Sequence, residues 1–383
     1  MKIIHTADVH LDMCFAGAGM TAAFGNRRRQ SLRDSFRAIA ARAGAWPADA
    51  FLIAGDLFEG DRVSRDTIAF LISEFAAIPH VPVFIAPGNH DPYTAQSPYA
   101  VEAWPPNVTI FAEPRWRAIA LHDGRLTVHG FGFDGPDISS NPFGTLCIDG
   151  PAKGVHVAVA HGSERGHQPA EKEAYAPFDA RDAALEGLRY LALGHFHALG
   201  EIIGPFATRM YYSGSPEGHS FREPGMRHYL EIEIADAEST VRPVPSSRMV
   251  YSPHTIACEE FSSSQDLIDT IRATLAGTER PQIVRLTLTG SCNPDIRAEF
   301  AAVRDSLAAR YEYLEFLDKT TPVEDFDELA REETGLGAFV LALNRELGDT
   351  TEDARKRLLE RAREVGVAAF RSRDLEIRGL DRG

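Results

Sequence analysis

Five short polar motifs stand where five strand-like runs end, and this placement restricts the fold more than any other property of the chain. Asp8-Val9-His10 follows the run 2–7, Gly55-Asp56 follows 50–54, and Gly88-Asn89-His90-Asp91 follows 82–86. His161-Gly162 follows 155–160, and Gly194-His195-Phe196-His197 follows 190–193. In an α/β sheet, residues just past the carboxyl ends of neighbouring strands converge on one crevice, where ligands bind. The pattern therefore predicts a layered α/β domain that delivers Asp, Asn and His side chains to one place. Taken singly, each motif has a plain explanation: Gly-Asp is a common turn, Asn-His-Asp can cap a helix, and a lone interior His is more often a satisfied core group than a ligand. Five together, with glycines beside them that let the backbone turn sharply, are not explained by turn chemistry.

Further strands are expected at 108–111, 126–131, 209–212 and 227–234, and amphipathic helices at 27–43 and 64–77. The small-residue stretch 16–25 reads as a loop. Pro, Ser and Arg accumulate over 241–253, which marks a linker. Beyond it, 255–259, 267–275, 282–289, 296–308 and 311–317 read as strand, helix, strand, helix, strand. From Pro322 the pattern is charged and helical, with Phe339, Leu343, Leu347, Leu358 and Leu359 as an intermittent apolar stripe. A length of 383 residues favours two or three domains, here 1–250, a small α/β domain 251–321 and a helical tail 322–383.

No apolar run approaches the length of a membrane span. The amino terminus enters a strand pattern without the apolar core of a signal peptide, so a cytoplasmic location is expected. Cys14, Cys147, Cys258 and Cys292 form no CxxC pair and read as reduced thiols. With 55 acidic against 40 basic residues, the formal charge of -15 argues against a generic nucleic-acid coat protein. Bound cations and a local basic patch can still reverse the field at a site. Arg27-Arg28-Arg29, Arg33 and Arg37 are one candidate patch, although a solvated helix face is the preferred reading.

Asp, Asn and His donors suit Mn, Fe or Zn better than Ca or Mg alone. Together, Asp8-x-His10, Gly55-Asp56, Gly88-Asn89-His90-Asp91, His161 and Gly194-His195-x-His197 resemble the complete signature of the calcineurin-like metallophosphoesterases. The resemblance implies a four-layer sandwich of two mixed sheets flanked by helices, with two divalent ions at the strand ends. It assigns Asp8, His10 and His197 to one ion, Asn89, His161 and His195 to the other, and Asp56 as the bridge. His90 matches the family's proton donor or transition-state stabiliser. A bridging carboxylate holds two cations about 3.5–4 Å apart, and such a pair activates water near neutral pH, so no protein nucleophile is required. Asp91 is either an acceptor that orients His90 or a structural group of the turn.

Thr6-Ala7-Asp8-Val9-His10-Leu11-Asp12, Ala54-Gly55-Asp56-Leu57-Phe58-Glu59 and Tyr212-Ser213-Gly214-Ser215-Pro216-Glu217, with Glu223-Pro224-Gly225, are most similar to the SbcD-type DNA repair exonucleases. That branch implies a DNA nuclease using Mn²⁺, with Fe, Mg or Zn as alternatives. It also implies a homodimer and an SbcC-type ABC ATPase partner, for which the tail 325–367 is a candidate docking segment. Glu59 departs from those members that carry His three residues past the bridging Asp, and a carboxylate there repels phosphate. Two other functions fit the same residues: a nucleotide or small-molecule phosphodiesterase, and a non-catalytic DNA-end-binding scaffold. Protein phosphatases of the superfamily read Gly-Asn-His-Glu where this chain has Gly88-Asn89-His90-Asp91. Among the other histidines, His80, His122, His129, His156, His228 and His254 read as surface or packing residues, and His5 as facing another layer. His167 and His219 sit in loops near the substrate side, without an assigned role.

Overall fold

The structure is a computed structural model and describes residues 1–15, 20–148, 154–167, 173–235, 238–276 and 279–371. Two sheets carry the metal-donor motifs. Their strands are β1 (Lys2–Thr6), β2 (Ala50–Ile53), β3 (Val83–Ile85), β4 (Val108–Ile110), β5 (Arg117–Leu121), β6 (Leu126–Gly130), β7 (Val155–His161), β8 (Leu188–Gly194), β9 (Gly200–Glu201), β10 (Arg209–Tyr212), β11 (His228–Ala235) and β12 (Glu238–Pro245). One sheet runs β12-β11-β1-β2-β3-β4 and the other β5-β6-β7-β8-β10-β9. Strands β1 to β4, and β6, β7, β8 and β10, run parallel to one another, whereas β5, β9, β11 and β12 pair antiparallel to their neighbours.

Side chains alternate between the two faces of a strand, and here both faces are buried. Ile3, Leu52 and Phe84 point between the sheets to meet Val157, Val159 and Tyr190. Their neighbours Ile4, Phe51, Ile53, Val83 and Ile85 point outward, against Leu32, Phe36 and Ile39 of helix α1 (Ala22–Ala45) and Leu71 and Phe75 of helix α2 (Arg65–Ala76). On the far side, Ala158, Ala160, Leu191, Leu193 and Met210 pack beneath Phe133, Phe143 and Phe178. Each fully buried aliphatic or aromatic side chain of this kind contributes about 1.5–3 kcal/mol. The near-continuous apolar runs at the parallel strands are the sequence trace of that double burial. The result is the expected mixed α/β sandwich of two sheets flanked by helices.

Four details differ from the sequence reading. Helix α1 begins at Ala22 rather than residue 27, because Thr21 caps it by accepting from the Phe24 N–H at 3.2 Å. Residues 16–19 of the expected loop lie outside the described residues. The expected linker 241–253 is instead strand: β12 pairs antiparallel with β11, and the next strand starts at Val250. Pro243 and Pro245 fit there because β12 is an edge strand, whose outer side needs no ladder donors. The helix expected over 296–308 is two helices, Pro294–Ala298 and Phe300–Ala308. Strand β5 escaped notice because its aliphatic run, Ala118 to Leu121, is short and its residues are mostly exposed.

A third sheet joins Val250–Ala257, Gln282–Cys292 and Tyr313–Pro322, with the second of these in the middle. The chain forms two compact units. One comprises Met1–Ile256, Ile271–Thr287 and Arg304–Leu317; the other comprises Ala257–Thr270, Leu288–Val303 and Asp318–Gly383. In the second unit, helices Gly335–Asp349 and Asp353–Phe370 enclose a small core of Leu329, Val340 and Val367, and leave Leu341, Leu358 and Phe370 exposed. Among the described residues, no helix is long and apolar enough to cross a membrane.

Candidate metal centre

The loops that follow β1 and β2 are laced together by their backbones. Asp8 N–H donates to Gly55 O at 3.1 Å, His10 N–H to Asp56 O at 3.0 Å and Leu11 N–H to Leu57 O at 3.0 Å. This lacing holds side-chain donors in backbone conformations they would otherwise avoid. Asp8, His10, Asp56 and His195 have φ of 51°, 49°, 52° and 110°. Such conformations cost non-glycine residues about 1–3 kcal/mol each and persist at functional sites, where the surroundings enforce them. The sequence reading gave the turning to the glycines, but the ligand candidates themselves do much of it. Gly88 serves close approach instead, since a Cβ there would lie 2.3 Å from Asp56 Oδ1.

All seven predicted metal ligands meet at this one place. Asp56, buried, lies between two imidazoles, its Oδ2 3.7 Å from His10 Nε2 and 3.4 Å from His161 Nε2. On one side, His10 Nε2 faces His197 Nε2 at 3.3 Å. On the other, His161 Nε2 faces Asn89 Oδ1 at 3.0 Å, and the His195 ring stands edge-on to His161 with centroids 5.3 Å apart. The Asp8 carboxylate accepts the His195 N–H at 3.0 Å and 3.1 Å. Potential ligand atoms of Asp8, Asp56 and His161 lie within 4.8 Å of one another, as do those of His10, Asp56 and His90. Buried oxygen and nitrogen lone pairs that converge with so few protons between them suit divalent cations, and the mixed O/N set suits Mn, Fe or Zn. The Asp56 carboxylate lies between the two groups of imidazoles.

A backbone carbonyl and two carboxylates behind the imidazoles fix their orientation. His161 Nδ1 lies 2.9 Å from Ala54 O, His197 Nδ1 2.8 Å from Glu223 Oε1, and His10 Nδ1 2.7 Å from Glu59 Oε1. The second oxygen of Glu59 lies 3.2 Å from His90 Nδ1. Glu59 therefore links a metal-ligand candidate to the candidate proton donor, a role the sequence reading missed when it treated the residue only as a repulsive charge. Asp91, by contrast, takes the structural alternative. It accepts from the N–H groups of Gly88, Asp56 and Leu57 at 2.7, 3.1 and 2.7 Å and from the Tyr99 hydroxyl at 2.7 Å.

The electrostatics follow from these contacts. Burial opposes ionisation of Asp56, but His161, His10 and His90 outweigh it and hold its carboxyl below the ordinary range, whereas burial raises Asp8. His90 is raised, first by its hydrogen bond to Glu59. Replacing Glu59 by Gln should therefore move the basic limb of the pH–rate profile to lower pH and weaken metal binding by roughly 10–100-fold. A profile with an unmoved basic limb would show that Glu59 does not set the charge of His90. Burial works against protonation of His10, yet Glu59, Asp56 and Asp8 raise it to about 9. In the metal-free chain this protonated form supports folding fully below the unfolded value near 6.5 and loses that support as pH rises through about 9. Since a ligand must be deprotonated, Mn²⁺ binding at pH 7 should release a proton, and affinity should rise about tenfold per pH unit up to about pH 9. Calorimetry in buffers of different ionisation enthalpy measures that proton.

Several expectations fall elsewhere. His5 joins the two layers, its Nδ1 2.9 Å from the Tyr190 hydroxyl and its Nε2 3.2 Å from Leu193 O, and burial lowers it to about 3. The arginine patch is not a uniformly solvated face. Arg28 is fully buried against Glu217 at 3.0 Å. Arg27 pairs with Glu312 at 3.2 Å, Arg33 with Asp66 at 2.5 Å, and Arg37 with Asp34 and Glu74 at 2.9 Å each. His219, which the sequence left without a role, stands beside His10 and His197 with ring centroids 5.1 Å from each.

A model of the calcineurin-like phosphoesterase family matches residues 1–199. The chain is 25% identical over 305 residues to YhaO of Bacillus subtilis, an uncharacterized metallophosphoesterase, a match covering 76% of this chain and 72% of the relative. It is 26% identical over 245 residues to the DNA double-strand break repair protein Mre11 of Methanopyrus kandleri, covering 58% of this chain and 50% of that one. A dimetal phosphatase from Danio rerio is a distant structural likeness, with a TM-score of 0.42 at 9% identity over 64% of this chain and 98% of that one. With the family model reaching from β1 through β8 and the last histidine motif, over half of the chain, the chain belongs to the calcineurin-like phosphoesterases, metal-dependent hydrolases that work with a dinuclear centre.

Proposed function

We propose that this chain is a DNA nuclease of the SbcD type that hydrolyses phosphodiester bonds with two divalent cations, Mn²⁺ foremost. One observation carries the hydrolytic part: a buried Asp56 flanked by His10 and His161, with the half-exposed His90 one residue past Asn89. When bound, a pair of divalent cations supplies an activated water and neutralises phosphate charge. Asp8, His10 and His197 would hold one, Asn89, His161 and His195 the other, and Asp56 both. His90, whose protonated form Glu59 favours, is half-exposed beside these residues and would donate a proton to the leaving oxygen. The DNA part is supported by the likeness to the Methanopyrus protein named for double-strand break repair.

A formal charge of -15 and the ion-paired arginines of α1 favour a second reading, a nucleotide or small-molecule phosphodiesterase. The test is hydrolysis of linear DNA, hairpin DNA and bis-p-nitrophenyl phosphate by the Mn²⁺-loaded protein. Cleavage of all three supports the nuclease reading. Cleavage of the small ester alone supports the second one, and cleavage of none, with metal verified at the site, overturns both. The wider proposal includes a cytoplasmic homodimer and an SbcC-type ATPase partner. The exposed Leu341, Leu358 and Phe370 of the helical tail support a docking role there.

A further inference from the structure

The two-cation centre leaves one buried imidazole without a task. His219 lies between β10 and β11 with its side chain 2% exposed. Its ring stands edge-on to His10 and His197, at 85° and 87°. One ring nitrogen of each of the three lies within 4.8 Å of the others, close enough to share a cation. His219 Nε2 is buried and has no hydrogen-bond partner among the described residues, an arrangement that costs a polar atom about 1–3 kcal/mol if nothing uses it.

Glu223 gives the same indication independently. One of its oxygens lies 2.8 Å from His197 Nδ1, and the other accepts the His219 backbone N–H at 3.0 Å and lies 3.6 Å from His219 Nδ1. A carboxylate at hydrogen-bond distance from His197 Nδ1 favours the Nδ1–H tautomer of that ring and leaves its Nε2 lone pair to bind, the way metal-ligating histidines are set, and His219 Nδ1 lies beside it, 3.4 Å from His197 Nδ1.

We propose that His219 is a further ligand of the cation held by Asp8, His10 and His197. The inference rests on the dinuclear reading and deepens it. The two halves of the centre are then unequal. One offers three imidazoles, His10, His197 and His219; the other offers two, His161 and His195, with the Asn89 amide. The imidazole-rich half should fill first and favour nitrogen-loving ions such as Zn²⁺ over Mg²⁺.

Protein labelled with ¹⁵N-histidine and loaded with ¹¹³Cd²⁺ tests this, because each ring nitrogen bonded to cadmium is split by spin coupling. The proposal requires five split imidazole resonances in the wild type, the fifth disappearing in His219→Gln. Four in the wild type overturns the proposal and leaves the dinuclear reading intact; none overturns both. In parallel, Mn²⁺ titration of His219→Gln and His219→Ala should show one of two sites weakened beyond the roughly 10–100-fold that loss of a supporting group costs. Two unweakened sites in variants whose metal-free circular dichroism matches the wild type would also overturn it.

Discussion

His90→Ala is expected to lower kcat by about 10²–10⁴-fold, the range for loss of a general acid, while both cations stay bound. His90 is the most exposed member of the cluster, with 46% of its side chain accessible, and its Nδ1 is occupied by Glu59. Its backbone N–H already donates to Asp56 Oδ1 at 3.0 Å, so the residue sits at the bridge without completing it. The loss should depend on the leaving group. A p-nitrophenolate needs little protonation and should lose less than the alkoxide released from DNA. Elemental analysis of the purified variant separates the alternatives. Loss of metal together with turnover would make His90 a ligand, which its place near His10 and Asp56 allows geometrically.

The second large effect is on stability. Glu217 is fully buried and saturated with donors: Arg28 Nη1 at 3.0 Å, Ser31 Oγ at 2.9 Å, Ser35 Oγ at 2.7 Å and the Arg248 and Met249 N–H groups at 2.7 and 3.0 Å. Arg28 also lies over the rings of Phe15 and Tyr251. Glu217→Gln strands the guanidinium as an uncompensated buried charge and turns an amide NH₂ toward donors. Breaking a buried pair from one side costs about 3–5 kcal/mol, whereas replacing both partners by apolar groups is often near neutral. Guanidinium denaturation should therefore show a large loss for Glu217→Gln and recovery of most of it in Arg28→Met with Glu217→Leu. A single variant as stable as the wild type would contradict the account that Glu217 compensates the buried guanidinium of Arg28.

The cluster of donor candidates was legible because its members lie just past the ends of five strands, with strand and donors contiguous in sequence. The supporting carboxylates were not, because their partners are remote in sequence. Glu59 reaches back 49 residues to His10, and Glu223 reaches 26 to His197. No local periodicity announces such pairs. His219 is of the same kind, reaching His10 and His197 only through the fold. Elsewhere composition misled. The prolines near residue 243 suggested a linker, although an edge strand tolerates them. The run Arg27-Arg28-Arg29 suggested one face, although a helix points consecutive residues in different directions and sends Arg28 inward.

The central claim is that Asp56 joins two cations. Anomalous diffraction at the manganese edge from crystals of the Mn²⁺-loaded chain measures it directly. Two peaks about 3.5–4 Å apart, each within bonding distance of one Asp56 oxygen, are predicted. A single peak, or two that Asp56 does not touch, would contradict the account.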